Sequence, residues 1–232
     1  QFGLFDEKSD GRFAQSELRG VALKIYDLDT PFSGAVSCKF PERRTKQMNK
    51  TRPSEHRTNE TLEVLKTRRS IRKFKSDPIP RDVLDRILEA GTYAPTGMGR
   101  QSPVIIAITD PEARNRLAWE NAAIGGWDEG FDPFYGAPVI LLVAARRECP
   151  TAVYDGSCVM ANLMNAAWAL GIGSCWIHRA KEELESGYGQ ALLRSLEIEG
   201  DYIGVGHVAL GYIDGEPPAP KPRKEHWVYR VG

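Results

Sequence analysis

The pattern of the chain changes at Asn59: from there to Tyr212 helical and strand signals alternate, whereas residues 1–58 lack sustained periodicity apart from Val21 to Leu28. Asn59 can cap a helix running to about Arg69, with Glu60 and Glu63 at the positive end of its dipole. Pro80 opens a second helix, whose stripe of Val83, Leu84, Ile87 and Leu88 stops at Gly91. Val104 to Thr109 reads as a buried strand, and Asp110-Pro111 starts a helix to about Ala122. A long Gly/Asp/Phe-rich loop, Gly125 to Gly136, is a functional candidate before the strong strand Val139 to Ala145. The spacing of Met160, Leu163, Met164, Ala167 and Leu170 predicts a central buried helix over Tyr154 to Leu170, closed by Gly171. A strand from Ser174 to Ile177, a helix from Lys181 to about Leu196 broken near Gly187, and a strand from Ile203 to Tyr212 follow. The tail from Gly215 to Arg223 carries Pro217, Pro218, Pro220 and Pro222 and runs extended.

Length and charge narrow the ligand class. The 232 residues suffice for one well-buried core or two small ones, and 31 Lys+Arg balance 31 Asp+Glu. No basic footprint exists for neutralising many phosphates, so a small molecule is expected in place of nucleic acid. The longest apolar runs, Ala137 to Ala145 and Ile172 to Ile177, fall far short of the roughly 20 residues a membrane helix needs. Cys38, Cys149, Cys158 and Cys175 form no C-x-x-C pair, which fits reduced thiols in the cytoplasm. The chain begins at Gln1 with no readable secretory signal. Lys39 to Arg57 holds seven Lys/Arg against two Glu and reads as a solvated tail. Residues 1–58 are therefore expected to be an N-terminal extension outside a domain spanning 59–232; the competing reading makes Val21 to Leu28 an edge strand, with Phe32 and Phe40 packed on the domain.

Conventional catalytic constellations are missing. Gly204-x-Gly206-x-x-Ala209 meets the form of the dinucleotide fingerprint but lies within a strand-like stretch with no helix behind it. Cys175 and His178 are two candidate ligands, too few for a metal site. There is no G-x-S-x-G elbow, and no histidine accompanies a recognisable nucleophile and orienting carboxylate. Met160, Met164 and Trp168 are most simply core.

Anion-binding residues stand at both ends of the domain instead. Thr67-Arg68-Arg69-Ser70-Ile71-Arg72-Lys73 gathers four cations and two hydroxyls at a helix end, and Lys221-Pro222-Arg223-Lys224 adds three cations. Arginine forks and a serine hydroxyl suit a phosphate monoester. Between them Ala94-Pro95-Thr96-Gly97-Met98-Gly99-Arg100-Gln101-Ser102 forms a glycine-punctuated loop leading into a strand, where backbone can approach a flat ligand.

On these motifs residues 59–229 resemble the FMN-dependent nitroreductases. The resemblance also includes Ala137-Pro138 before an apolar strand, Asn162 to Ala167 with Gly171-Ile172-Gly173, and Gly211-Tyr212 ahead of Lys221 and Arg223. It implies an α+β fold with a mixed central sheet flanked by helices, in an intertwined homodimer with FMN at the subunit interface. By position it assigns cofactor binding to Arg68, Arg69, Ser70, Arg72, Lys221 and Arg223 on the phosphate side. Pro95, Thr96, Gly97 and Gln101 would lie along the isoalloxazine, and Ile177, His178 and Arg179 would follow the strand whose loop backbone touches the flavin. An Asn is frequent in the family where Gly99 stands here. The implied activity is passage of a hydride from NAD(P)H through flavin N5 to a nitroaromatic, quinone or similar small acceptor, by a ping-pong mechanism. Such chemistry needs position and fixed charge more than a nucleophile, which accounts for the missing acid–base machinery. Other flavoenzymes on the same scaffold, and a non-enzymatic FMN binder, are the alternatives.

Overall fold

The computed structural model describes residues 59–128 and 130–232. Strand β1 is Pro103–Ile108, β2 Val139–Arg146, β3 Gly173–Ile177 and β4 Tyr202–Gly211. The helices are α1 Glu60–Thr67, α2 Arg81–Thr92, α3 Pro111–Gly125, α4 Ala152–Ala169, α5 Ala180–Glu185 and α6 Gly187–Ser195. Val21 to Leu28, Lys39 to Arg57 and Cys38 lie outside the described residues.

Every residue from Val139 to Ala145 is buried, because β2 is central and covered on both faces. Val139, Leu141 and Val143 join Leu84 and Ile87 of α2 and Val159, Met160 and Leu163 of α4 in one core. Ile140, Leu142 and Ala144 turn the other way, into a core with Leu117 of α3, Leu184 of α5 and Leu193 of α6. One continuous apolar strand thus unites two hydrophobic layers. The sheet order is β1-β2-β4-β3, and every neighbouring pair is antiparallel. The four strands are thus antiparallel throughout, where a mixed sheet was expected; the parallel pairing among the described residues is an isolated bridge outside them, Ser70 to Ser174, beyond which Phe74 bridges antiparallel to Ile213.

Helix boundaries follow their caps. Asn59 accepts from the Thr61 N–H at 2.9 Å, and Asp110 from the Ala113 N–H at 2.8 Å. Helix α3 passes the expected end at Ala122 and stops only where Gly126 turns left-handed, at φ 64°. The predicted break in the helix after β3 falls at Ser186, which caps α6 by accepting from the Gly189 N–H at 3.1 Å.

The G-x-G-x-x-A stretch lies wholly within β4. Its glycines answer to packing: a Cβ on Gly204 would collide with the Ala180 carbonyl oxygen, and one on Gly206 would stand 2.8 Å from Met160 Sδ. Val205 between them is the extra residue of a β-bulge, since Val143 and Ala144 pair with Gly206 and Gly204. Among the described residues no helix is long and apolar enough to cross a membrane.

Candidate functional site

The segment leaving α1 is extended, so alternate side chains share a face. Ile71 is buried on one side and its N–H donates to the Ser174 carbonyl at 2.9 Å, which holds the segment against β3. Arg68, Ser70 and Arg72 occupy the other parity and converge on Cys175: burial pushes that thiol up, while Arg72 and Arg68 and a hydrogen bond with Ser70 pull it down. Arg68 Nη1 is buried and finds no hydrogen-bond partner among the described residues. A buried guanidinium nitrogen without an acceptor is a ready place for an anionic oxygen. Arg69 points elsewhere. Its guanidinium donates to the Lys66 and Arg68 carbonyls, each at 2.8 Å, so it closes the end of α1 instead of joining the cluster.

The loop after α2 is a strained arc with a held underside. Met98, Gly99 and Gln101 have φ of 55°, 65° and 49°. The Gln101 N–H donates to Thr96 Oγ1 at 3.1 Å, and the Gly99 N–H to the Thr96 carbonyl at 3.0 Å. Beneath, the buried Asp155 of α4 accepts from the Gly97 N–H at 2.9 Å, from Thr151 Oγ1 at 3.0 Å and from Ser102 Oγ at 3.4 Å. Gly97 is required here, because a Cβ would collide with Thr151 Oγ1. Thr96 and Gln101 also line a cleft of about 350 Å³ with Leu88, Ile105 and Val159. Pro95 is exposed at the mouth of the arc. Asp155 was not singled out by sequence reasoning, although it is the one charged residue of α4.

At the end of β3 the side chain of Ile177 is buried, leaving only its backbone for a ligand, and His178 is exposed. Arg179 is left-handed, φ 76°, and its guanidinium lies 4.2 Å from the centre of the Trp127 ring. The Gly125 to Gly136 loop carries the contact onward: Trp127 meets Phe131 at 4.6 Å, Phe131 meets Tyr135 at 6.5 Å, and Arg72 stands 6.0 Å from Tyr135. An aromatic row therefore joins Arg179 to Arg72. The His178 carbonyl accepts from Asn121 Nδ2 at 2.9 Å, and the same amide reaches Glu183, which faces the buried His207. Sequence reasoning missed this network; a histidine within the apolar β4 was its signal.

Lys221 and Arg223 lie in the exposed tail, where Arg223 donates to the Lys221 carbonyl at 2.7 Å. Among the described residues no hydrogen bond or ion pair ties them to Arg68, Ser70 or Arg72. No group of three His, Cys, Asp or Glu side chains among the described residues could hold a metal ion.

Residues 65–212 match the Nitroreductase family. The chain belongs to that family. Structurally it is similar to a nitroreductase with bound FMN from Bacteroides fragilis, at 33% identity and TM-score 0.68 over 75% of this chain and 100% of the other. A second nitroreductase with bound FMN, from Desulfitobacterium hafniense, shows 27% identity and TM-score 0.67 over 75% and 99%. In sequence it is 26% identical to an FMN reductase (NAD(P)H) of Bacillus subtilis, over 68% of this chain and 57% of the relative. The nitroreductase match begins within α1 and ends just after β4, so it takes in the Arg68 cluster, the Thr96 to Gln101 arc and the exit of β3.

Proposed function

We propose that the Arg68, Ser70 and Arg72 face binds the phosphate end of FMN, and that the Thr96 to Gln101 arc lies against its isoalloxazine. The observation that carries this is the buried Arg68 Nη1, which meets no acceptor among the described residues, beside Ser70 and Arg72. The protein is an NAD(P)H-dependent flavin oxidoreductase of the nitroreductase type. When bound, the flavin supplies the hydride relay between NAD(P)H and a small acceptor, a nitroaromatic or quinone, in alternating half-reactions. This chain's part is to hold and orient: two guanidinium groups and a hydroxyl for an anion, and a rigid backbone arc for a flat ring. Trp127, Phe131 and Tyr135, between Arg179 and Arg72, supply a stacking surface suited to an aromatic acceptor. Ile177 and His178 contribute backbone, and Arg179 contributes its charge.

Lys221 and Arg223 would reach a phosphate once the tail is seated. The tail's Trp227, Val228 and Tyr229 are exposed, as are Leu62 and Leu65 of α1, which buries no residue of its own. Apolar surface of this kind suits an intertwined homodimer. A cytoplasmic setting accords with free Cys149, Cys158 and Cys175.

The decisive experiment is purification with FMN, followed by a visible spectrum and NAD(P)H oxidation with a nitroaromatic or quinone acceptor. Flavin absorbance bands and parallel double-reciprocal plots are expected. Flavin bands without acceptor-dependent turnover would leave an FMN binder, and a colourless protein would overturn the reading. Light scattering tests the dimer, which a stable FMN-loaded monomer would contradict.

A further inference from the structure

Asp155 is 5% exposed, and no cation pairs with it among the described residues. A carboxylate so placed loses hydration, and only good hydrogen bonds offset that loss. All of its side-chain partners belong to one structural purpose. Gly97 stands at the start of the Thr96 to Gln101 arc, Ser102 directly follows its end, and Thr151 is the residue before α4 against which Gly97 is wedged. The arc holds three residues at positive φ, two of them not glycine, a backbone that persists only when its surroundings over-determine it. Its own bonds, from Gly99 to Thr96, Arg100 to Gly97 and Gln101 to Thr96, are internal and would move with it. Asp155 supplies the side-chain anchor from outside the loop, one oxygen to the Gly97 backbone and the other to the two hydroxyls.

We propose that Asp155 is a positioning residue for the cofactor: by clamping the Thr96 to Gln101 arc at both ends, through Gly97 and Ser102, it sets the orientation in which the loop meets the flavin ring. The inference rests on the reading that this arc faces the isoalloxazine. Asp155 itself sits under the loop and need not touch the ligand. The acceptor geometry makes two substitutions separable. Asp155→Asn keeps a carbonyl oxygen for the Gly97 N–H, whereas Asp155→Ala keeps no acceptor at all.

The test measures the FMN dissociation constant and the visible spectrum of bound flavin for wild type, Asp155→Asn, Asp155→Ala and Ile140→Ala. Ile140 is fully buried in the core of the opposite sheet face and serves as a packing control. Asp155→Ala is expected to weaken FMN at least about tenfold and to shift the flavin bands, as loss of the acceptor for the Gly97 N–H predicts. Asp155→Asn is expected to stay within about threefold, and Ile140→Ala to lower the melting temperature while leaving the constant and spectrum of the folded protein unchanged. Gly97→Ala, which displaces the same end of the arc, is expected to reproduce the spectral shift and stands in if Asp155→Ala does not fold. Wild-type affinity and spectrum in Asp155→Ala, or in Gly97→Ala where it stands in, would overturn the proposal. So would equal loss in Asp155→Asn and Asp155→Ala. Absence of FMN binding by the wild type would overturn the flavin reading itself.

Discussion

His207 Nε2 lies 2.6 Å from the Glu183 carboxylate, with the two side chains at 0% and 1% exposure. Asn121 reaches the other Glu183 oxygen and the His178 carbonyl, so this contact ties β4, α5 and α3 to the loop after β3. Removing one partner strands the other in the core. Glu183→Leu is expected to destabilise the fold by about 1–3 kcal/mol, the cost of leaving buried polar groups unsatisfied, and the double change with His207→Phe to recover part of that loss. Urea unfolding of the two single variants and the double variant measures the difference; additive losses would show that the pair does not couple.

Arg72→Ala is expected to weaken FMN by roughly 1.5–3 kcal/mol, the worth of a charge-assisted hydrogen bond to phosphate. Arg69→Ala, which removes only the closure of α1, should leave FMN affinity near wild type. Flavin fluorescence quenching compares them, and equal affinities in wild type and Arg72→Ala would remove Arg72 from the site.

Gly99 is left-handed at φ 65°, and a Cβ there would meet nothing within 4 Å. Asparagine tolerates that conformation better than other side chains. Gly99→Asn, which restores the residue frequent in the family, is therefore expected to cost less than about 1 kcal/mol in a thermal melt. Gly99→Val, β-branched at positive φ, should cost distinctly more.

Burial pushes the Tyr188 hydroxyl from its ordinary 10.0 up to about 12, against the opposing pull of Arg116. The folded state thus holds this proton more tightly than the unfolded chain. That contribution to stability is complete below pH 10.0 and is lost as pH rises through about 12. Tyr188→Phe should show a smaller fall in denaturation midpoint between neutral and strongly alkaline pH, and an unchanged fall would assign the alkaline loss to other groups.

A chain beginning at Met48 is expected to fold, dimerise, bind FMN and turn over, since the family match starts at residue 65. Gel filtration, flavin content and NAD(P)H oxidation test it. Loss of soluble protein or of flavin would make residues 1–47 part of the domain.

The sequence alone determined the order of elements and the family. Both depend on local signals: Asn59 and Asp110 cap helices through their own side chains, and the Val139 to Ala145 run announces a strand buried on both faces. The run of cations and hydroxyls from Thr67 to Lys73 was likewise legible, but the alternation that puts Arg68, Ser70 and Arg72 on one face follows from the extended backbone after α1. Only the tertiary structure decided which cations stay available and what holds the loops. Arg69 differs from Arg68 by one position, yet the turn of the backbone at the end of α1 sends it to carbonyl oxygens. Asp155 and Gly97 are 58 residues apart, and Asn121 and Glu183 are 62 apart. No periodicity or propensity links such pairs. Their hydrogen bonds exist because the sheet brings α4 under the arc and α5 against α3, and a buried polar group must find its partner wherever the packed chain has placed one.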